Sequence, residues 1–229
     1  MITAVSDVPT LTRVHHDLLV PSFPREERGT LEELVAGTRD GSLHVWVAHS
    51  PGPSVPPSGG TPGPPAADDD LAGVAVVCTW PQAPHAALLG WLAVGGRERS
   101  RGVGAALLSH VLRQFEDSMM LAEIEPADGP IGDPVHGDPR ARVRFYHRHG
   151  ARRLALPYWQ PATGPGTGPV QLDLVVLPAP GQRPPDRVPA GPVRELLEAY
   201  ALAELPDPLA GPLEAASRGP HISTEPLMS

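Results

Sequence analysis

The sequence predicts a three-layer α/β fold in which helices cover both faces of a mixed sheet. Three observations carry this. Apolar runs of strand length interleave with runs at helical spacing, in the order helices, strand meander, strand, helix, strand, helix, strand, strand. The joint between the apolar run ending at Val94 and the helical run starting at Val103 is short, rich in glycine and arginine, and typical of a strand turning into a helix. A chain of 229 residues buries a good core as one domain with extensions, whereas two full domains would each be small.

The elements follow in order. Leu11 to Leu19 and Thr30 to Ala36 read as helices, the second opened by Thr30 and Glu33 in the spacing of a capping box. Leu43 to Ala48, Leu71 to Trp80 and Ala86 to Val94 read as strands, rich in Val and Leu and bounded by turn residues. Val103, Leu107, Leu108, Val111, Leu112 and Phe115 mark a helix. Met119 to Glu125 is a strand, Arg140 to His149 a short helix, and Arg153 to Leu156 and Val170 to Leu177 the last strands. Residues 50–68 hold no large apolar group except Val55 and cannot repay the entropy of ordering, so a long flexible hairpin loop is expected there. Residues 1–177 form the body. Residues 178–229 are expected to be a Pro-rich linker, a helix over 193–205 and a tail without order beyond Pro206, save a helical turn near Leu209 to Ser217.

Composition excludes several functions. A net charge of −8 argues against generic nucleic-acid binding, which needs many cations. All 18 basic residues are arginine, so the P-loop lysine and Schiff-base chemistry are both ruled out. Cys78 is the single cysteine and reads as a small buried hydrophobe. No signal segment and no apolar span of membrane length is visible, which predicts a soluble cytoplasmic protein without a membrane partner.

The stretch Arg97 to Ala105 is the most informative. Glycines allow close backbone approach, and the first N–H groups of a helix have no intrahelical partner, so the joint suits an anion such as phosphate. A dinucleotide turn does not fit, because glycines stand only at 102 and 104 of the turn. A structural turn with no ligand remains open on these residues alone.

Arg99-Ser100-Arg101-Gly102-Val103-Gly104, between an apolar strand and an apolar helix, resembles the acyl-CoA signature of the GNAT superfamily of N-acetyltransferases. A second block agrees in order and position: Arg144-Phe145-Tyr146-His147-Arg148-His149-Gly150-Ala151 looks like the later helix of that family. Pro139, Arg142 and Ala151 depart from its usual residues. The resemblance covers about residues 10–177 and implies a GNAT-like three-layer α/β/α fold with a mostly antiparallel sheet. It also implies an acyl-CoA cofactor, most simply acetyl-CoA, with the backbone of Leu92, Ala93 and Val94 on its pantetheine arm. Arg99, Arg101, Gly102, Val103, Gly104 and Ala105 would hold its pyrophosphate.

Amide formation needs a base for the attacking amine and an acid for the leaving thiolate. The resemblance makes Tyr146 the acid, with a packing role as its alternative. Strand alternation puts Glu123 and Glu125 on one face with Leu121, and two carboxylates inside a sheet are costly unless that face opens to a cleft. Glu123 is therefore the expected base or amine anchor and Glu125 its neighbour at the acceptor, with two solvent-facing carboxylates as the alternative. Tyr158, Gln160, Trp80 and Phe23 are further acceptor-side candidates, and Trp91 could line the same cleft.

No metal site is expected, since His147 and His149 point apart on a helix and no Cys pair is present. The expected activity is transfer of an acyl group to a primary amine of a small molecule or peptide in a ternary complex. Two other classes stay in view: a non-catalytic CoA-binding or protein-interaction module on this fold, and an acidic scaffold using its Pro-rich stretches. The helix over 193–205 could pack on its own body or across a homodimer.

Overall fold

The computed structural model describes residues 1–50, 71–126, 136–161, 168–183, 185–203 and 210–228. The expected loop at 50–68, apart from its first residue, lies outside them, as does most of the segment from Pro126 to Asp138. Among the described residues nine strands form one sheet in the order β1-β2-β3-β4-β5-β9-β6-β11-β10. They are β1 (Ile2–Val5), β2 (Leu43–His49), β3 (Leu71–Cys78), β4 (Ala86–Val94), β5 (Met119–Ile124), β6 (Arg152–Leu154), β9 (Asp173–Leu177), β10 (Arg187–Pro189) and β11 (His221–Pro226). Two short strands, β7 (Trp159–Gln160) and β8 (Val170–Gln171), pair separately. Within the large sheet only β4 and β5 run parallel, so the sheet is mixed and mostly antiparallel.

Helices α3 (Val103–Gln114) and α4 (Pro139–Arg148) cover one face. Leu107, Leu108 and Val111 of α3, with Val143 and Tyr146 of α4, pack there on Ala75, Val77, Leu89 and Ala122. The period-2 geometry of a strand gives the intervening residues to the other face. There Val74 and Val76 meet α1 (Val8–Arg13), the π-helical turn Val14–Leu19 and α2 (Leu31–Asp40). Further along, Leu88, Leu121, Leu174 and Val176 meet α5 (Ala190–Ala203) and Ala216 of α6 (Ala210–Ser217). Gly73 is fixed by packing, because a Cβ there would lie 2.8 Å from the carbonyl of Ala93 and 3.1 Å from Leu107.

Three departures from the sequence reading stand out. Residues beyond Pro206 were expected without order save a helical turn near Leu209 to Ser217; that turn forms as α6, but β11 sits inside the sheet between β6 and β10. Ile222 and Thr224 are the buried residues of β11, and Arg152 holds Thr224 from the neighbouring strand, so this segment is part of the body rather than a tail. The C-terminal helix starts at Ala190, three residues before the expected Val193. Val170 to Leu177 divides at Leu172 into β8, paired with β7, and β9, paired with β5. Among the described residues no helix is long and apolar enough to cross a membrane.

Candidate active site

Two features of β4 make the site. The parallel ladder with β5 ends at Leu89–Ala122, although β4 runs on to Val94 and β5 to Ile124. The strands therefore part, and the β5-side edge of β4 beyond Leu89 has no ladder partner among the described residues. The second feature is a bulge. Val77 pairs with Leu89 and Val76 with Trp91, so Gly90 is an extra residue with no partner on β3. Leu89 packs on the α3 face, and simple alternation would send Trp91 there too; the extra residue turns Trp91 to the α2 face instead.

On the α3 face, a groove of about 270 Å³ is lined by Leu92, Ala93, Val94, Arg99, Gly104 and Tyr146, with Phe23 and Arg142 on its opposite side. Gly102 caps α3 in the left-handed region at φ 82°, a conformation that favours glycine. The first bond of α3 runs from Ala106 N–H to Gly102 C=O, which leaves the N–H groups of Val103, Gly104 and Ala105 directed out of the helix end. A Cβ on Gly104 would come within 3.4 Å of Val94 and 3.5 Å of Phe145, so glycine keeps the groove open beside those donors. A free strand edge, a helix N-terminus and an arginine in one groove fit the pantetheine and pyrophosphate of an acyl-CoA. Tyr146 is only 6% exposed, and burial pushes its phenol up to about 12 against the pull of Arg142.

On the other face a cavity of about 360 Å³ lies between α2 and α5. Its floor includes Leu88, Gly90, Trp91, Cys78 and Glu123, and its walls include Leu34, Trp80 and Tyr200. Glu123 accepts hydrogen bonds from the hydroxyl of Tyr158 and from Nε2 of Gln160, the latter at 3.1 Å. Burial dominates over these bonds and pushes Glu123 up to about 7, with Glu27 adding to the rise. Burial also pushes the Cys78 thiol up to about 12, beside the Glu123 charge. Trp91 is locked by a 2.8 Å bond from its Nε1 to the carbonyl of Glu27. The Glu27 carboxyl is itself pushed up to about 7 by burial and by Glu125, against the pull of Arg142.

No family model matches the chain, and no curated protein matches it significantly in sequence. Solved structures do match. A GNAT-family protein from Bacteroides thetaiotaomicron, assigned as an acetyltransferase, is 23% identical and covers 77% of this chain and 86% of its own, with a TM-score of 0.55. The chain has the GNAT superfamily fold. More distant likenesses include the IAA acetyltransferase of Bacillus cereus, 13% identical over 77% of this chain and 97% of that one, TM-score 0.49. A GNAT-family acetyltransferase of Elizabethkingia anophelis is 14% identical over the same shares, TM-score 0.46.

Within this GNAT fold the residues singled out from sequence fall into three groups. Leu92, Ala93, Val94, Arg99 and Gly104 line the groove together with Tyr146. Arg101 instead projects outward, 66% exposed and bonded to Glu98 at 3.3 Å. Glu123, Gln160 and Trp80 line the cavity, but three acceptor candidates do not. Glu125 stands one residue past the end of β5 and is ion-paired with Arg142 of α4, so strand alternation no longer governs where it points. Phe23 lines the groove with the Arg142 guanidinium 5.8 Å above its ring. Tyr158 is fully packed and reaches the site only through its bond to Glu123. Sequence reasoning missed Glu33, Asp40 and Tyr200 on the cavity and Glu27 beside it. Glu33 was visible only as a helix cap. The others carried no local signal.

Proposed function

We propose that the chain is an acyl-CoA-dependent N-acyltransferase, an acetyltransferase in its simplest form, acting on a primary amine by direct transfer. One observation carries this reading: Glu123 stands buried in a cavity on one face of the sheet, Tyr146 in a groove on the other, and both border the stretch where β4 and β5 part. Bound acyl-CoA supplies a thioester whose carbonyl carbon forms the new C–N bond as the C–S bond breaks.

The protein's own groups account for the protons. An ammonium is not nucleophilic, and a carboxylate poised near 7 takes its proton at neutral pH far better than one at its usual value. Tyr158 and Gln160 hold that carboxylate in place and leave its remaining lone pairs for the amine. The Tyr146 phenol is protonated at neutral pH and lines the groove, so it can donate to the departing sulfur, although burial makes it a weaker acid than an ordinary phenol. The free N–H groups at the α3 N-terminus, with Arg99, suit the pyrophosphate, and the unpaired edge of β4 suits the amides of the pantetheine arm. Cys78 remains a thiol at neutral pH and is not a covalent way station.

The test is CoA-thiol release from acetyl-CoA across a panel of primary amines, together with calorimetric binding of acetyl-CoA. Release with at least one amine, slowed in Tyr146→Phe, supports the enzyme. Tight acetyl-CoA binding with no release for any amine overturns it in favour of a non-catalytic binding module.

A further inference from the structure

The acceptor cavity carries a charge pattern that narrows the amine. Among the described residues its lining contains three carboxylates, Glu33, Asp40 and Glu123, against His15 as the one side chain able to become cationic, and no arginine. Glu33 and Asp40 are seven residues apart on α2, which puts them on one stripe of the helix about 10 Å apart along its axis. Thr30, Ala36 and Gly37 of the same helix also line the cavity, so this stripe forms its long wall. One Glu33 oxygen accepts the Thr30 N–H and one Asp40 oxygen the Ser42 N–H, and each carboxylate keeps lone pairs for a further donor.

A second, independent observation points to a ligand rich in N–H donors. Gln160 is only 5% exposed, lines the cavity, and spends its Nε2 on Glu123; its Oε1 is buried with no hydrogen-bond partner among the described residues. The carboxylate at Nε2 fixes the amide orientation, because turning it would set oxygen against oxygen. A buried amide oxygen without a partner is costly, and a primary amine held by Glu123 would satisfy it. Between this polar floor and the α2 rim the walls are apolar and aromatic, with Trp80 and Tyr200 packed at a centroid distance of 5.5 Å. Such walls suit methylene groups, and their ring faces attract a cation.

We propose that the cavity selects a linear aliphatic diamine or polyamine, with the reacting nitrogen at Glu123 and Gln160 and a second ammonium at the Glu33–Asp40 rim. The assignment of the reacting end rests on the N-acyltransferase reading; the preference for a second cation does not. Calorimetry at neutral pH with diaminobutane, diaminohexane and diaminooctane, each against the monoamine of the same length, reads that preference directly. A diamine is expected to bind at least about tenfold more tightly than its monoamine at low salt, and the ratio should shrink as salt screens the exposed rim. In the double variant Glu33→Gln, Asp40→Asn the ratio is expected to fall to near one; glutamine still closes the capping box at position 33, so α2 is retained. Equal binding of each pair in the wild type, or a ratio that survives in the double variant, overturns the proposal. Thiol release on the same samples separates the two claims. Diamine-selective binding without release overturns the enzyme and leaves the cavity assignment standing, whereas release with no diamine preference does the reverse.

Discussion

The groove proposed for the donor and the cavity proposed for the acceptor lie on opposite faces of one sheet and are built in opposite ways. The groove is mainly a backbone device: an unpaired strand edge, a left-handed glycine and a helix N-terminus, all within Leu92 to Ala105. The cavity is a side-chain device, assembled from the π-helical turn Val14–Leu19, α2, β2, β3, β4, β5, β7 and α5, which are spread over more than 150 positions. A contiguous backbone shape tolerates side-chain change at most of its positions, whereas a cavity of this kind is redefined by one substitution in any of eight elements. The two regions should therefore fail differently when mutated.

The largest effect is expected at Glu123. Glu123→Gln keeps the shape and the amide contacts but removes the proposed base, and should lower kcat/KM by about 10²–10⁴ while leaving acetyl-CoA affinity unchanged. In the wild type kcat/KM should rise with pH through about 7 and then level, because the carboxylate must be ionised; in the variant that rise should vanish. The reciprocal change is Gly104→Glu. It places a carboxylate among the free N–H groups of α3, and calorimetry should show acetyl-CoA binding weakened by about 100-fold or more, with amine binding retained. Loss of both ligands in either variant would break the separation between the two regions.

Tyr146→Phe comes next. A fall in kcat of about 10–100-fold with unchanged acetyl-CoA affinity separates proton donation from packing, since phenylalanine fills the same space in the α3-face core. Stability gives a further test on the cavity side. The folded carboxyl of Glu123 titrates near 7 against an ordinary 4.5, so its contribution is fully present below about 4.5 and is lost as pH rises through about 7. At about 1.4 kcal/mol per pH unit, ionisation costs on the order of 3 kcal/mol, and Glu123→Gln should flatten the stability profile over that window in urea titrations. The smallest effect is expected for Tyr200→Ala, which removes one aromatic wall and should raise KM for the amine by about 3–10-fold with no change in donor binding.

What could be read from sequence follows the same division. The Arg97 to Ala105 joint was legible because a left-handed glycine and a helix start are local properties of consecutive residues. Glu123 was legible as well, since a carboxylate inside an apolar strand is conspicuous. Tyr200 and Asp40 were not, because nothing local to them marks a cavity that forms only when α5 and α2 meet the same face of the sheet. Glu125 and Phe23 were placed at the acceptor, one by strand alternation and one by where its entry segment lies in the resembled fold; neither lines the cavity, and both meet Arg142 of the groove. The missed strands β1, β7, β10 and β11 have two to six residues each, too few for periodicity to rise above noise. Ile222 and Thr224 are buried in β11, but flanked by histidine, serine, glutamate and proline they read as tail.

The bulge at Gly90 sets the phase of β4 the way a single inserted base sets a reading frame. Deleting Gly90 would restore plain alternation and exchange the faces of all residues on one side of the gap. Either Trp91 would leave the cavity and Leu92 to Val94 would present the wrong faces to the groove, or the strand before it would rotate in compensation. Both halves of the site are thus synchronised by one residue that has no register partner on β3, and insertions or deletions in β4 should be far more damaging than substitutions at its neighbours.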